Sequence, residues 1–166
     1  MEWYAALDYP HKILIGGNHD RFLEESPAAF RQMLPDSITY LENSGIELGG
    51  LYFWGSPITP WFMDWAFNRE RGSEIRAYWE QIPAHTDVLI THGPPYGILD
   101  KTIMQMHAGC KDLLDIVQEK VQPKLHVFGH IHEAYGQKQI GDTHYINASN
   151  SQLGPFTRKK GVLIDL

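Results

Sequence analysis

Three short segments of this 166-residue chain carry side chains suited to binding a divalent ion and an anionic oxygen compound. They are Gly17-Asn18-His19-Asp20, Thr91-His92-Gly93 and Gly129-His130-Ile131-His132. Imidazoles suit zinc, iron and manganese, and an amide oxygen is a neutral ligand that can sit beside them. Two such ions about 3.5–4 Å apart would neutralise a phosphoryl group, activate water and align it with a leaving group. An imidazole next to a carboxylate, as in His19-Asp20, suits proton donation near neutral pH. Singly the segments say little. Asn18 alone reads as a turn residue and His92 alone as a polar loop residue. His130 and His132 alternate across an extended segment, although a tight turn at Gly129 would let them reach different ions.

Their positions in the chain carry more weight. Each segment directly follows a short apolar run, at Lys12–Ile15, Val88–Ile90 and Leu125–Phe128, that reads as a strand buried on both faces. Open α/β sheets gather ligands outside the carboxyl ends of their strands. Six polar side chains are therefore expected at one edge of one sheet. Around these strands, Glu2–Leu7 reads as the tail of a helix, and Ser26-Pro27 opens a helix to Leu34. Trp61–Gln81 reads as mostly helical with a break near Gly72-Ser73. Cys110–Val121 is an amphipathic helix stopped by Pro123. Ile38–Leu41, Ile46–Leu48 and Leu51–Trp54 suggest a meander or hairpin. Glu133–Ile140, Thr143–Ala148 and Val162–Leu166 suggest an antiparallel set closing the fold.

The three motifs, in this order, resemble the calcineurin-like metallophosphoesterase superfamily, from about Lys12 to the carboxyl terminus. The stretches KILIGGNHD, ITHGPPYGILD and PKLHVFGHIHEAYG are similar to a small subgroup of metallophosphoesterase-domain phosphodiesterases. The resemblance implies an α/β fold, a four-layer α-β-β-α sandwich, built as one domain over residues 1–166. It implies that Asn18, His92 and His130 hold the second metal and that His132 holds the first. It also implies that His19 contacts the phosphoryl group and protonates the leaving oxygen, with Asp20 orienting it. Divalent Mn, Fe or Zn is implied, two ions in the complete family site. The family's Asp-x-His and Gly-Asp motifs have no counterpart here. Asp8 lies before the first buried strand instead of after one. The expected fold therefore lacks the first strands of the first sheet, and the ligand set lacks a bridging carboxylate. Three neutral ligands favour zinc over Mn or Mg.

The implied activity is that of a metal-dependent phosphoester hydrolase, and specifically a phosphodiesterase, using metal-bound hydroxide with His19 as general acid. The other reading is a nucleotide- or phosphate-binding protein, catalytically weak, with at most one metal. A serine hydrolase ranks lower, because Ser56 and Ser149 lack the nucleophile elbow. The expected partner is a phosphoester or nucleotide small molecule.

Tyr96, just past His92, and His107, before a helix, are candidate substrate contacts alongside Asn18 and His19. Asn147-Ala148-Ser149 reads equally as cleft lining or turn. The aromatics Tyr52, Phe53, Trp54, Trp61, Phe62, Trp65 and Phe67 read as core and lid packing, with a stacking platform as the sharper alternative. His11, His85, His126 and His144 read as structural or solvated. The single cysteine, Cys110, excludes an internal disulfide and reads as a buried thiol, not a nucleophile. It fits a reducing, cytoplasmic setting. Met1-Glu2-Trp3 opens no apolar leader, and no apolar run is long enough for a membrane span. The net charge of -6 argues against a nucleic-acid scaffold and leaves a local phosphate site open.

Overall fold

Short apolar runs become strands here because each finds a neighbouring ladder for its backbone groups. The computed structural model describes residues 1–150 and 161–166. In it, α1 (Glu2–Ala5) leads to β1 (Ile13–Leu14), then α2 (Arg21–Glu25) and α3 (Pro27–Met33). β2 (Thr39–Tyr40), β3 (Ser44–Leu48), β4 (Leu51–Ser56), β5 (Thr59–Pro60) and β6 (Asn68–Arg69) precede α4 (Ser73–Trp79). β7 (Val88–Thr91) and α5 (Lys111–Ile116) follow, with α5 continuing into a π-helical turn over Val117–Val121. β8 (Leu125–Phe128), β9 (Gly136–Ile140) and β10 (Thr143–Asn147) complete the order.

Six strands form one mixed sheet in the order β3-β4-β7-β8-β10-β9. β4, β7, β8 and β10 run parallel, and β3 and β9 add antiparallel edges. Gly49 and Gly50, both at positive φ, supply the two-residue turn between β3 and β4. Of the antiparallel set read in the sequence, β9 and β10 pair antiparallel as expected, whereas residues 162–166 form no strand, although Val162 and Ile164 pack on the sheet. The other edge of β10 pairs parallel with β8.

One face of the sheet presents Trp54, Leu89, Phe128 and Tyr145 to Ile75 and Trp79 of α4 and Leu113 and Ile116 of α5. Each such side chain stabilises the fold by roughly 1.5–3 kcal/mol through burial. On the other face, β1 pairs parallel with β2 as a separate ribbon. That ribbon sits directly on β4: a Cβ on Gly55 would lie 2.5 Å from Leu41 Cβ and 2.8 Å from Ile15 Cγ2. Beyond the ribbon, Phe30 of α3 meets Tyr40 of β2 edge to face at 5.0 Å. The four expected layers are therefore present, with the first sheet reduced to two strands. This also corrects the reading of β1 as fully buried. With one neighbouring strand, Ile13 and Leu14 are only half-buried.

Of the helix expected over Trp61–Gln81, only Ser73–Trp79 forms. Residues 61–67 make a loop clamped by β5 and β6. Asn68, itself buried, donates its amide to the carbonyls of Phe62 at 3.3 Å and Met63 at 2.9 Å. Phe67 N–H reaches Glu24 Oε2 at 2.8 Å, tying the loop to α2. These partners satisfy backbone groups that a helix would otherwise satisfy. Among the described residues, no helix is long and apolar enough to cross a membrane.

His126 of β8 is fully buried, and its Nε2 lies 2.9 Å from Thr91 Oγ1. Because that hydroxyl donates to the Gly93 carbonyl, it accepts from His126 Nε2–H, which sets the tautomer. Burial pushes the His126 pKa down to about 3. The folded state thus binds fewer protons than the unfolded one, so stability falls as pH drops from about 6.5 towards 3. His126→Leu is expected to remove about 2 kcal/mol of the stability loss between pH 7 and pH 5, measured by urea unfolding at both pH values.

Candidate functional site

β1 and the adjacent strands β7 and β8 deliver the three motifs to one place, but from two sheets and not from one edge of one sheet as expected. After β1 the chain turns tightly. Asp20 Oδ2 accepts Gly17 N–H at 2.7 Å, and Asp20 N–H donates to the Gly17 carbonyl at 2.9 Å. The turn buries Asn18 and leaves His19 exposed. Gly17 lets the two sheets meet here, because a Cβ there would stand 2.7 Å from His92 Cε1. At the ends of β7 and β8, Gly129 N–H donates to the His92 carbonyl at 3.0 Å, which locks the second and third motifs together.

The result is a convergence of three neutral donor atoms. His92 Nε2 lies 2.7 Å from Asn18 Oδ1 and 3.1 Å from His130 Nδ1. Burial, then the neighbouring His130, His19 and His132, pushes the His92 pKa down to about 3. Burial, then His132 and His19, pushes that of His130 down to about 4. Both rings are therefore neutral at pH 7, the form in which imidazole binds metal. Ligands about 2.1 Å from a zinc ion stand roughly 3–3.5 Å apart, so the 2.7 Å separation is shorter than that spacing and the 3.1 Å one lies within it. Among the described residues no three His, Cys, Asp or Glu side chains form a metal-holding group, so the set depends on the Asn18 amide. His132 lines the same cleft and opens a short 3-10 turn, His132–Ala134.

His130 owes its position to an uncommon backbone. Ile131 N–H donates to the Gly129 carbonyl at 2.8 Å, and His130, between them, has φ 68. This is the rare, strained form of the γ-turn. Asn147, fully buried at the end of β10, holds it in place. Its amide donates to the carbonyls of Ile131 at 2.9 Å and Leu99 at 3.0 Å, while its oxygen accepts Ser149 N–H. Asn147 thus acts as a tie behind the site, whereas Ser149 lines the cleft.

His19 stands at the cleft lip with its ring 5.0 Å from Trp65, which in turn lies 6.5 Å from His130. Trp65 and Phe62 both line the cleft, a role the sequence reading gave second place to packing. Their exposure was not legible without the loop geometry. Tyr96 and His107 are brought together, with ring centroids 5.1 Å apart, but neither lines this cleft. His107 Nδ1 is held at 2.7 Å by the buried Asp100, which also accepts Gly97 and Gly109 N–H. Lys111 Nζ lies over the Tyr96 ring at 4.9 Å. Cys110 is buried, and burial pushes its thiol pKa up, as expected of an inert thiol.

Comparisons with known proteins give the family and support the fold. The family described as calcineurin-like phosphoesterase matches residues 1–134. "Metallophosphoesterase domain-containing protein 1" of Homo sapiens is 38% identical over 188 residues, covering 99% of this chain and 58% of that protein. A UPF0046 protein of Caenorhabditis elegans is 37% identical, covering 98% of this chain and 48% of that protein. The chain thus spans about half the length of these relatives. A crystal structure at 20% identity superposes with a TM-score of 0.55 over 82% of this chain and 56% of its own, which supports the fold.

Strain at His130 yields an expected inversion. Glycine adopts positive φ freely, whereas alanine costs about 1 kcal/mol there. His130→Gly should therefore be about 1 kcal/mol more stable than His130→Ala in chemical denaturation, although both lose the same imidazole.

Proposed function

Because this chain belongs to the calcineurin-like phosphoesterase family, we infer that it binds a divalent ion through Asn18, His92 and His130 and acts on a phosphoester beside His19. The convergence of Asn18 Oδ1, His92 Nε2 and His130 Nδ1 within 2.7 and 3.1 Å contacts carries this reading. A divalent ion bound there would neutralise phosphoryl charge and lower the pKa of a water molecule. The chain's own residues do the rest. The buried Asn18 and the two neutral imidazoles present lone pairs into the cleft. His19, exposed at the lip and backed by Trp65, donates a proton to the departing oxygen. Asp20 acts on His19 indirectly, by holding the turn through Gly17 N–H. Tyr96 and His107 serve the substrate only through the loop that carries them.

The ion is zinc, held singly, because the donors are two nitrogens and an amide oxygen without a carboxylate to offset charge. His132 supports a second ion only when further ligands are supplied. A phosphodiester is the preferred substrate, a reading taken from the resemblance of KILIGGNHD, ITHGPPYGILD and PKLHVFGHIHEAYG to the metallophosphoesterase-domain phosphodiesterase subgroup. The same all-neutral donor set supports the second reading, a phosphate- or nucleotide-binding protein with one ion and weak catalysis.

Calorimetric titration and hydrolysis of bis-p-nitrophenyl phosphate separate the two. One equivalent of zinc is expected to bind, with Mn far weaker. His92→Ala should weaken zinc binding by more than about 10-fold. His19→Ala should keep zinc affinity and lower zinc-stimulated turnover by about 100-fold or more. Zinc binding without any stimulated hydrolysis selects the binding reading. Absence of zinc binding overturns both.

A further inference from the structure

Beside the cleft, on the far side of His130, lies a second and more enclosed cavity of about 220 Å³. Trp61, Phe62, Pro94, Thr102 and Ile131 are among the residues that wall it. Three residues, Phe62, His130 and Ile131, line both the cavity and the cleft, so the two spaces share a wall that includes a metal-ligating imidazole. We propose that this cavity is a binding site for an aromatic ring, carrying a hydrogen-bonding atom, that is attached to the phosphoryl group held at Asn18, His92 and His130. This deepens the phosphoester reading and rests on it.

Size, surface and one polar atom point to that class of ligand. A dry apolar cavity of about 150 Å³ accepts benzene, so this one has room for a substituted ring. Its walls are mainly apolar and aromatic, as small-molecule pockets are, with few placed polar groups. Trp61 and Phe62 are more than half exposed, at 54% and 56%, although the same loop turns Ala66 and Phe67 into the core. Large apolar rings left open at a cavity mouth are surface available for a flat partner. Thr102 is one of the lining residues, and its Oγ1 is buried without a hydrogen-bond partner among the described residues. A buried hydroxyl left unpaired is destabilising until a ligand atom meets it. The Arg71 guanidinium, also in the wall, is fixed by the carbonyls of Gly109 at 2.9 Å and Ala108 at 3.1 Å. It keeps that side of the cavity rigid.

The test uses the zinc-loaded protein and three non-hydrolysable probes, methylphosphonate, phenylphosphonate and 3-hydroxyphenylphosphonate. Affinities come from calorimetry, and occupancy from the indole N–H resonance of Trp61, assigned by its loss in Trp61→Phe. Benzyl alcohol, which has no phosphoryl group, probes the cavity alone. Phenylphosphonate should bind about 10-fold more tightly than methylphosphonate, and the hydroxylated ring more tightly still. Phe62→Ala should erase the advantage of the ring, and Thr102→Val that of its hydroxyl, with methylphosphonate affinity unchanged in Thr102→Val. Equal affinities for the methyl and phenyl probes overturn the proposal, and so does a ring advantage that survives Phe62→Ala. A hydroxyl advantage that is absent, or that survives Thr102→Val, overturns the hydrogen-bonding part. If neither methyl- nor phenylphosphonate binds, the phosphoryl site itself fails. Benzyl alcohol shifting the Trp61 resonance would then still support the aromatic cavity, and no shift would overturn it.

Discussion

The hydrogen bond from Gly129 N–H to the His92 carbonyl, 3.0 Å long, is the contact on which the site depends. It joins the two loops just beyond the ends of β7 and β8 and so fixes the spacing of the two histidine loops. Parallel pairing delivers both loops to the same end of the sheet. Once His92 and His130 stand 3.1 Å apart, the third donor must approach from another layer. Gly17 permits that approach, and the β1–β2 ribbon lying on Gly55 of β4 supplies it.

Burial does two things at this centre. It removes water from the His92 and His130 rings, and it drives their pKa values down to about 3 and about 4, which keeps both rings neutral at pH 7. Keeping these rings neutral costs the folded state in acid, and His130 adds backbone strain. Asn147 makes that strain bearable. One buried amide ties the His130 turn, the Leu99 loop and the chain after β10, and it satisfies three backbone groups that would otherwise be orphaned. The strain sits where neighbouring elements over-determine the backbone, the setting in which positive φ at a non-glycine persists.

The walls of the site come from loops held by side chains. The 61–67 loop replaces an expected helix because Asn68 and Glu24 satisfy its backbone groups and the β5–β6 pair closes it. The 96–109 loop is organised around Asp100, which gathers Gly97, Gly109 and His107. Local pattern favours a helix at the first loop, and a loop position before a helix makes His107 a candidate for the cleft. In both places buried polar side chains, Asn68 and Asp100, gather the loop around themselves, and hydrophobic pattern does not register such contacts.

The strands ending in Gly17-Asn18, Thr91-His92 and Gly129-His130 were legible in the sequence, because apolar runs bounded by glycine and polar residues carry their own local signal. So was the family resemblance, which the order of the three motifs carries and which in turn implied the layered α/β fold. Only the tertiary structure decided that the three motifs come from two sheets, that β10 returns parallel to β8 and that His130 sits in a strained turn. It alone placed Phe62 and Trp65 at the cleft and Tyr96 and His107 away from it. The partners of β1, β7 and β8, close approaches such as Gly17 to His92, and the carbonyls that buried Asn147 holds are contacts between distant parts of the chain. Periodicity and spacing report a residue's neighbours in sequence, and these features are set by neighbours in space.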